Sequence, residues 1–484
     1  MDRSGPTETQ GGAPARRIEL WHLCDSDRVF ASSPYLRIST FPQLGLLYLA
    51  AVLRRRGFDV VYRDRAYDRL DRLAVQRVAR EEPCAWLGLY GNIALRDDVV
   101  EAIGWARDAA PDVPILVGGP GHFEAEQYFR AGATAVVAGE ADLVVGEIAA
   151  RLAEGRPLDG VPGVRLPGRA GETGFAPLPD DLDALPRPAW DLAPPGRFRN
   201  DLAFIQRDPW YVMFASRGCP FHCAFCSRNH APGTRDYRLR APAAVVEEMR
   251  DLNRAHGVRH VKFQDDAFGG RREWLAEFCR EACAAGLDVT WNCSSNPGLF
   301  RRDAEATLRE MRRAGCTSVH FGLQSSSPAI LSAIGRNPRE PQWLAELVPL
   351  ARKAGLYTLV DLIVGLPGET RETIEEHRRY ARRLPAHMVQ VFPLQVVPGT
   401  ELARRYPDGK VTELPLEAIH QGVRRIHRGF LARPSVWADN LGFVLRHDPR
   451  RLLKLLRLVP FLLRFLAGFY RMAIWRGPTP SRVP

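Results

Sequence analysis

The sequence has no run of 18 or more uncharged apolar residues, so it contains no ordinary transmembrane helix. It also lacks a recognisable secretory signal. Its nine cysteines are scattered along 484 residues and do not form a disulfide framework. These absences favour a cytoplasmic protein in a reducing compartment.

Negative charge is missing from the last part of the chain. Residues 449–484 contain no acidic residue and eight basic ones, whereas the whole chain has a net charge of +11. The other 448 residues therefore carry only about +3, which does not suit a nucleic-acid surface. We expect no nucleic-acid partner.

Strands and helices alternate in the first third of the chain. Strands are predicted at 17–23, 58–63, 85–90, 114–117 and 135–137, and helices at 44–56, 97–109, 124–131 and 143–152. This order indicates an α/β fold with a doubly wound parallel sheet. Such sheets bind ligands at the carboxyl ends of their strands, beside glycine-rich turns such as Gly118-Gly119.

The alternation resumes at Trp210, after a segment rich in proline, glycine and aspartate. About six strand–helix units follow, and they predict a partial parallel (β/α)6 barrel with reactive groups at the carboxyl ends of its strands. The predicted domains are therefore a first domain (15–155), a linker (156–204), a barrel domain (205–430) and a helical carboxyl-terminal region (431–484).

Three cysteines lie in one loop at C-x3-C-x2-C spacing: Cys219, Cys223 and Cys226. Three thiolates on a four-iron cluster leave one iron free to bind a small molecule. A zinc site with His222 or His230 as fourth ligand is the alternative, but zinc sites usually pair two knuckles and no second Cys pair follows at suitable spacing. The cysteines at 279, 283, 293 and 316 are expected to be packed thiols of the core.

The cysteine loop resembles the signature of radical S-adenosylmethionine (SAM) enzymes. The resemblance implies that the three cysteines bind a [4Fe-4S] cluster and that SAM chelates its fourth iron. Three later motifs, in the family's order, are Phe263-Gln264-Asp265-Asp266, Gly322-Leu323-Gln324-Ser325 and Gly365-Leu366-Pro367-Gly368-Glu369-Thr370. The implied SAM contacts are Phe225, Gln264, Asp265, Gln324, Ser325 and Gly365. Gln324 stands where the family usually has glutamate.

The first domain resembles the cobalamin (B12)-binding domain that precedes the barrel in B12-dependent radical SAM enzymes. The resemblance rests on the stretch Phe41-Pro42-Gln43-Leu44-Gly45 and on the later glycine turns. It implies cobalamin contacts at Gly45, Gly118, Gly119 and Gly139. The Asp-x-His-x-x-Gly motif is absent, so we expect cobalamin with its lower base displaced and no histidine on cobalt. A flavodoxin-like domain with another ligand, or none, is the alternative.

The resemblance implies a B12-dependent radical SAM methyltransferase, an enzyme that methylates an unactivated carbon through a 5′-deoxyadenosyl radical and methylcobalamin. It also implies a biosynthetic role and an external reductant such as flavodoxin or ferredoxin. Two alternatives stay open: a non-methylating enzyme of the same architecture, such as an oxidative cyclase or a ring-rearranging enzyme, and a cobalamin and iron–sulfur sensor. No acid or base residue is singled out as catalytic by the sequence.

Basic residues near the carboxyl end recur at 450, 454, 457, 464 and 471, a spacing that places them on one helix face. Leucine and phenylalanine fill most other positions. One interpretation is a basic amphipathic helix packed on the barrel. The other is a helix lying in the plane of an anionic membrane, which would suit a lipid-like or polyprenyl substrate. The predicted substrate is thus a small molecule or a lipid-like compound, and the protein is cytoplasmic or membrane-associated.

Overall fold

A computed structural model describes residues 16–24, 41–82, 84–169, 173–198, 206–227 and 237–447. The protein forms two compact units, one from Met1–Leu23 and Gly45–Pro177, the other from Cys24–Leu44 and Leu178–Pro484. The four-part division made from the sequence stays a prediction. The predicted tail helix at 450–471 and the histidine at 230 lie outside the described residues.

A six-stranded sheet forms the first unit. Its strands are β1 (Arg17–His22), β2 (Asp59–Asp64), β3 (Trp86–Tyr90), β4 (Ile115–Gly118), β5 (Ala135–Val137) and β6 (Val164–Arg165), and they lie in the order β2-β1-β3-β4-β5-β6. The first five are parallel, and β6 pairs antiparallel with β5. Because β1 lies between β2 and β3, the winding direction reverses there, which is where such sheets open a ligand crevice.

Five helices accompany this sheet: α1 (Leu44–Arg55), α2 (Arg72–Glu81), α3 (Arg96–Ala109), α4 (Ala125–Ala131) and α5 (Val145–Ala153). Four of them match the predicted helices closely, whereas α2 was missed. Only Val75 and Val78 of α2 are buried, because the helix consists mostly of charged and small residues. The Asp71 carboxylate caps its first turn by accepting from the backbone N–H of Ala74 at 2.9 Å.

A second six-stranded sheet, entirely parallel, forms the barrel of the second unit. Its strands are β7 (Trp210–Met213), β10 (His260–Phe263), β11 (Thr290–Ser295), β12 (Cys316–Gln324), β13 (Tyr357–Val364) and β14 (Met388–Pro393), in the order β14-β13-β12-β11-β10-β7. A small antiparallel pair, β8 (Ser216–Arg217) and β9 (Arg238–Leu239), lies between β7 and β10 in the sequence. The predicted α/β fold with a partial barrel is confirmed.

Nine helices of the second unit are described: α6 (Pro242–His256), α7 (Arg272–Ala285), α8 (Ala304–Arg313), α9 (Pro328–Ala333), α10 (Glu340–Lys353), α11 (Arg371–Arg383), α12 (Glu401–Arg405), α13 (Leu416–Leu431) and α14 (Pro434–His447). Local sequence sets several of their ends. Thr370 caps α11 in a reciprocal box with Thr373, and Gly257 ends α6 at φ 64°. Among the described helices, none is both long and apolar enough to cross a membrane.

Candidate functional site

The cysteine loop follows β7 and β8 at the carboxyl end of the barrel sheet. The backbone N–H of Cys226 donates to the carbonyl of Cys223 at 3.0 Å, which closes a turn between the second and third cysteines. The N–H of Ala224 donates to the carbonyl of Ile334 at 3.0 Å. Gly335 comes so close to the loop that a Cβ there would lie 2.8 Å from the carbonyl oxygen of His222. The loop is therefore fixed against the end of α9.

The thiols of this loop are near enough to influence one another. Burial raises the pKa of the Cys219 thiol to about 12, against a lowering by the N–H of Phe221, and the charges of Asp266, Cys226 and Cys223 raise it further. Three thiolates at this spacing repel one another unless a cationic group binds them, and binding would deprotonate all three. This donor set fits a [4Fe-4S] cluster with three protein ligands. Across the described ranges, no three His, Cys, Asp or Glu side chains converge on a single metal ion.

Arg336 is a residue of this site that the sequence analysis missed. Its Nη1 donates to Sγ of Cys223 at 3.6 Å, and its Nη2 donates to the carbonyl of Gly322. Its Nε donates to Oε2 of Glu340 at 2.9 Å, and the two side chains are only 7% and 3% exposed. A buried ion pair thus holds a cation against a predicted cluster ligand. The four-residue spacing of Arg336 and Glu340 was the only sequence signal, and most such pairs are exposed.

The end of β10 carries Gln264 and Asp265, both predicted SAM contacts. The amide nitrogen Nε2 of Gln264 is buried with no hydrogen-bond partner, so it can donate to an acceptor of a ligand. Asp265 is buried and accepts from the N–H of Ala215 at 3.1 Å and from the hydroxyl of Ser216. Burial raises the pKa of the Asp265 carboxyl to about 7. Asp265 thus ties β10 to the segment that leads into the cysteine loop.

Gln324 ends β12 in a strained conformation. Its φ is 72°, in the left-handed region that residues other than glycine rarely adopt, and the register of β12 against β13 shifts at this point. A Cβ on Gly322 would lie only 2.6 Å from Nε2 of Gln324, so a larger residue there would displace the amide from this position. Backbone strain of this kind persists where the surroundings fix it, and it clusters at ligand sites.

Ser325 is fully buried in a polar network that also includes a residue the sequence analysis did not single out, His377 of α11. Oγ of Ser325 lies 3.4 Å from Nε2 of His377, and Oγ of Ser326 lies 2.7 Å from its Nδ1. Nε2 of His377 is also 3.5 Å from Oε1 of Glu369, whose other oxygen accepts from the N–H of Gly365 at 3.3 Å. His377 therefore links two of the motifs that resemble SAM-binding turns. It lies on a predicted helix with no motif of its own, so no sequence pattern pointed to it.

Gly365 has φ 104° and faces Ile419, which a Cβ there would approach to 3.1 Å. Phe225 packs on a buried cluster that contains Ala224, Ile334 and Leu366. The aromatic residue of the cysteine loop and the turn at Gly365 therefore share one apolar cluster. The structure thus groups the predicted SAM residues at the carboxyl end of the barrel, and their roles as SAM contacts stay predictions.

The cysteines outside the loop were expected to be packed core thiols. Cys279, Cys293 and Cys316 are buried, as expected. Cys283 is exposed, so the expectation is wrong for this residue. Its position four residues after Cys279 on α7 is at the edge of the buried face, where a small rotation decides exposure.

The carboxyl edge of the first sheet holds three of the four glycines predicted for cobalamin. Gly118 ends β4, and no atom lies within 4 Å of the position its Cβ would take. Gly119 and Gly139 have φ of 94° and 99° in the following turns. Gly45 lies in the first turn of α1. The open position beside Gly118 leaves room for a ligand at this edge, whereas a Cβ on Gly119 or Gly139 would approach Gly91 or Ala176. Each predicted cobalamin contact stays a prediction.

His22 and Asp64 end the neighbouring strands β1 and β2. Nδ1 of His22 lies 2.9 Å from Oδ2 of Asp64, and the hydroxyl of Tyr62 donates to the same oxygen at 2.7 Å. All three side chains are buried. His22 thus has a structural partner within the sheet.

Two protein families match separate parts of the sequence. Residues 39–149 match the B12 binding domain, and residues 213–381 match the Radical SAM superfamily. The class that fold and site define is therefore a radical SAM barrel joined to a cobalamin-binding α/β domain.

The sequence is 30% identical over 444 residues to an uncharacterized methyltransferase, PH0819, of Pyrococcus horikoshii, covering 86% of this chain and 94% of the relative. It is 27% identical over 356 residues to the anaerobic magnesium-protoporphyrin IX monomethyl ester cyclase of Rubrivivax gelatinosus, covering 71% and 62% of the two proteins. In fold it resembles the radical SAM methyltransferase TsrM of Kitasatospora setae, solved with cobalamin and a [4Fe-4S] cluster, at a TM-score of 0.66 and 20% identity over 90% of both proteins.

The chain belongs to the family of B12-dependent radical SAM methyltransferases. The cofactors of this family are a [4Fe-4S] cluster, SAM and cobalamin, as the sequence predicted. The residues present fit these groups: three neighbouring thiols, a buried amide without a partner at the end of β10, and a glycine-lined sheet edge.

Proposed function

We propose that this protein adds a methyl group to an unactivated carbon of a small-molecule substrate bound at the carboxyl end of the barrel. The observation that carries the proposal is the grouping of the cysteine loop, Arg336 and the unpartnered amide of Gln264 at that end. When bound, the cluster and SAM supply a 5′-deoxyadenosyl radical for hydrogen abstraction, and cobalamin supplies the methyl group.

The protein's own residues would position these groups. Cys219, Cys223 and Cys226 hold the cluster, with Arg336 against the second thiolate. Gln264 would donate a hydrogen bond to SAM, and the amide of Gln324 would provide a second polar contact to SAM. The buried apolar cluster on which Phe225 packs, and which includes Leu366, would exclude water from this end of the barrel. No side chain needs to act as acid or base for hydrogen abstraction and methyl transfer.

An external one-electron donor such as flavodoxin or ferredoxin would reduce the cluster. A soluble carrier is therefore the proposed partner.

A second candidate function is radical chemistry without methyl transfer, which the likeness to the cyclase of Rubrivivax gelatinosus favours. SAM carrying a deuterated methyl group separates the two candidates. Methylation predicts a product heavier by the labelled methyl group and one S-adenosylhomocysteine per product. An altered product without the label, with 5′-deoxyadenosine and labelled methionine but no S-adenosylhomocysteine formed from SAM, would replace the first proposal by the second.

The tail suggests where the substrate comes from. On α14, just before the basic tail, Trp437, Leu441 and Leu445 are 45%, 47% and 46% exposed at a spacing of four residues. This exposed apolar stripe leads into a segment rich in leucine and arginine, and both features suit an in-plane helix on anionic lipid. We include in the proposal that the protein contacts a membrane surface through this region and takes a lipid-like substrate there.

A further inference from the structure

The two faces of the barrel sheet differ in chemistry. On one face, Phe263 of β10 and Trp291 of β11 have ring centroids 5.8 Å apart, and both rings contact Phe278 of the surrounding helix α7. On the other face, His260 Nδ1 lies 2.8 Å from Oγ1 of Thr290, and its Nε2 lies 3.3 Å from Oδ1 of Asn292. On these two strands the helix-covered face is therefore apolar, and the face toward the barrel interior is polar.

Lys262 belongs to the interior face. It lies two residues after His260 on the same strand, and its register partner on β11 is Asn292. Side chains two apart in a strand share a face, so Lys262 extends into the barrel near the end of β10. Gln264, the predicted SAM contact, lies two residues after Lys262 in the sequence, so it follows the same alternation along the strand direction.

The ammonium of Lys262 has no carboxylate partner among the described residues. The aromatic ring of Phe41, whose centroid is 5.2 Å from Nζ, is the contact it makes. Lysine is scarce in this protein, at four of its 67 basic residues. The other two described lysines are surface residues paired with glutamate, Lys353 with Glu305 and Lys410 with Glu413, each at 2.9 Å.

A histidine and a carboxylate also lie close together in the barrel interior. Nε2 of His320 on β12 lies 2.7 Å from Oδ2 of Asp361 on β13. Oδ2 of Asp361 thus lies beside His320, whereas Oδ1 of Asp361 is buried without a hydrogen-bond partner, and among the described residues no ion pair joins Asp361 to Lys262. Burial alone lowers the pKa of the Lys262 ammonium. An unpaired cation inside a protein is costly unless an anion or a cation–π contact compensates it.

We propose that Lys262 binds an anionic oxygen group, a carboxylate or a phosphate, of the substrate inside the barrel. The proposal rests on the proposed function, because it assigns the substrate to this interior. In the absence of an anion, the ammonium of Lys262 contacts the aromatic ring of Phe41. A lipid-like substrate would then carry an anionic head group, and a neutral hydrocarbon is excluded. SAM has a carboxylate of its own and is the other source of such a group near β10.

The scarcity of lysine gives a direct test. The protein carrying its cluster and cobalamin is labelled with trace acetic anhydride at neutral pH, and mass spectrometry follows acetylation at Lys262, Lys353 and Lys410. The probes are inorganic phosphate and acetate, each added with and without saturating SAM. An anion at about ten times its Kd leaves roughly a tenth of the site free, so labelling of Lys262 should slow about tenfold. The paired surface lysines serve as internal controls and should not change.

Protection of Lys262 by phosphate or acetate with SAM already bound supports a substrate-anion site. Three results overturn it: complete protection by SAM alone, which assigns the lysine to SAM; no protection by either anion; or a Lys262 that never reacts and so is not reachable by a substrate. Labelling does not depend on methyl transfer. If Lys262 is protected from labelling in a protein that transfers no methyl group, the anion site is therefore supported and the proposed function is rejected.

Discussion

Nη1 of Arg336 lies 3.6 Å from Sγ of Cys223, while Nε of the same guanidinium bonds Glu340 at 2.9 Å. A residue more than one hundred positions along the sequence thus brings a buried positive charge to a predicted cluster ligand. The charge of Glu340 keeps the arginine in place when no cluster is bound. The same arginine reaches the carbonyl of Gly322, so the cysteine loop and the end of β12 are joined through one side chain.

Arg336→Met should destabilise the second unit by about 3–5 kcal/mol, because it leaves Glu340 buried without its partner. Urea unfolding measures this loss. Arg336→Met combined with Glu340→Met should recover most of it. The single variant should also lower the reduction potential of the cluster, since a cation beside a thiolate favours the more negative, reduced state. An unchanged potential in a redox titration followed by electron paramagnetic resonance would show that Arg336 is structural only.

His377→Ala should weaken SAM binding as well as stability. The change leaves the buried Ser325 and Glu369 without a shared partner, at a cost of about 1–3 kcal/mol. The turns that carry Gln324 and Gly365 then lose their common support. Equilibrium dialysis with SAM measures the effect on affinity.

His427 provides a control for this variant, because it is likewise a helix histidine bonded to a strand of the barrel: its Nε2 accepts the backbone N–H of Val391 at 3.0 Å. His427→Ala should lower stability with SAM affinity preserved. Equal losses of affinity in both variants would contradict a specific role for His377.

Asp265 should make the protein less stable as pH rises from about 4 to about 7. Burial raises the pKa of its carboxyl to about 7 in the fold, against 3.8 for the ordinary group. In that window the folded state holds a proton that the unfolded state has lost, so stability falls by at most about 1.4 kcal/mol per pH unit from this group. Asp265→Asn removes the titration. The free energy of unfolding of the variant relative to the natural protein should therefore increase between about pH 4 and pH 7, and a constant difference would argue against the raised pKa.

Removing the residues after Asp448 should release the protein from anionic vesicles and leave the fold intact. The intact protein is expected to co-sediment with such vesicles at low salt, since each basic residue near the surface contributes ~1 kcal/mol. Trp437→Ser in the full-length protein should weaken sedimentation through the apolar stripe of α14. If the intact protein stays in the supernatant, or if truncation unfolds the core, the tail is a packing element and the lipid-like substrate loses its support.

Local sequence patterns predicted most of the strands and helices, because each element and the glycine that ends it are determined by a short stretch of sequence. The bounds of α1, β3 and α7 follow from apolar periodicity and flanking residues. The helix α2 was missed because it buries only Val75 and Val78. Its composition is polar on average, so the apolar face that its periodicity does indicate was overlooked.

The sequence predicted the residues of the site only where they belong to a recognisable motif. The cysteine spacing located the loop, and the strand ends located Gln264 and Gln324. Arg336 and His377 act through contacts that depend on packing between distant segments, and no short pattern encodes those. The left-handed backbone of Gln324 was equally hidden, because it arises from the shifted register of β12 against β13.

The measurement that tests the central claim most directly is SAM cleavage after anaerobic reconstitution with iron, sulfide and hydroxocobalamin, followed as 5′-deoxyadenosine. The natural protein should form it, and Cys223→Ala should not, because the cluster loses one of three protein ligands. Cys283→Ala, which changes an exposed thiol, should retain full activity. A Cys223→Ala protein that cleaves SAM as fast as the natural protein would contradict the assignment of the cysteine loop.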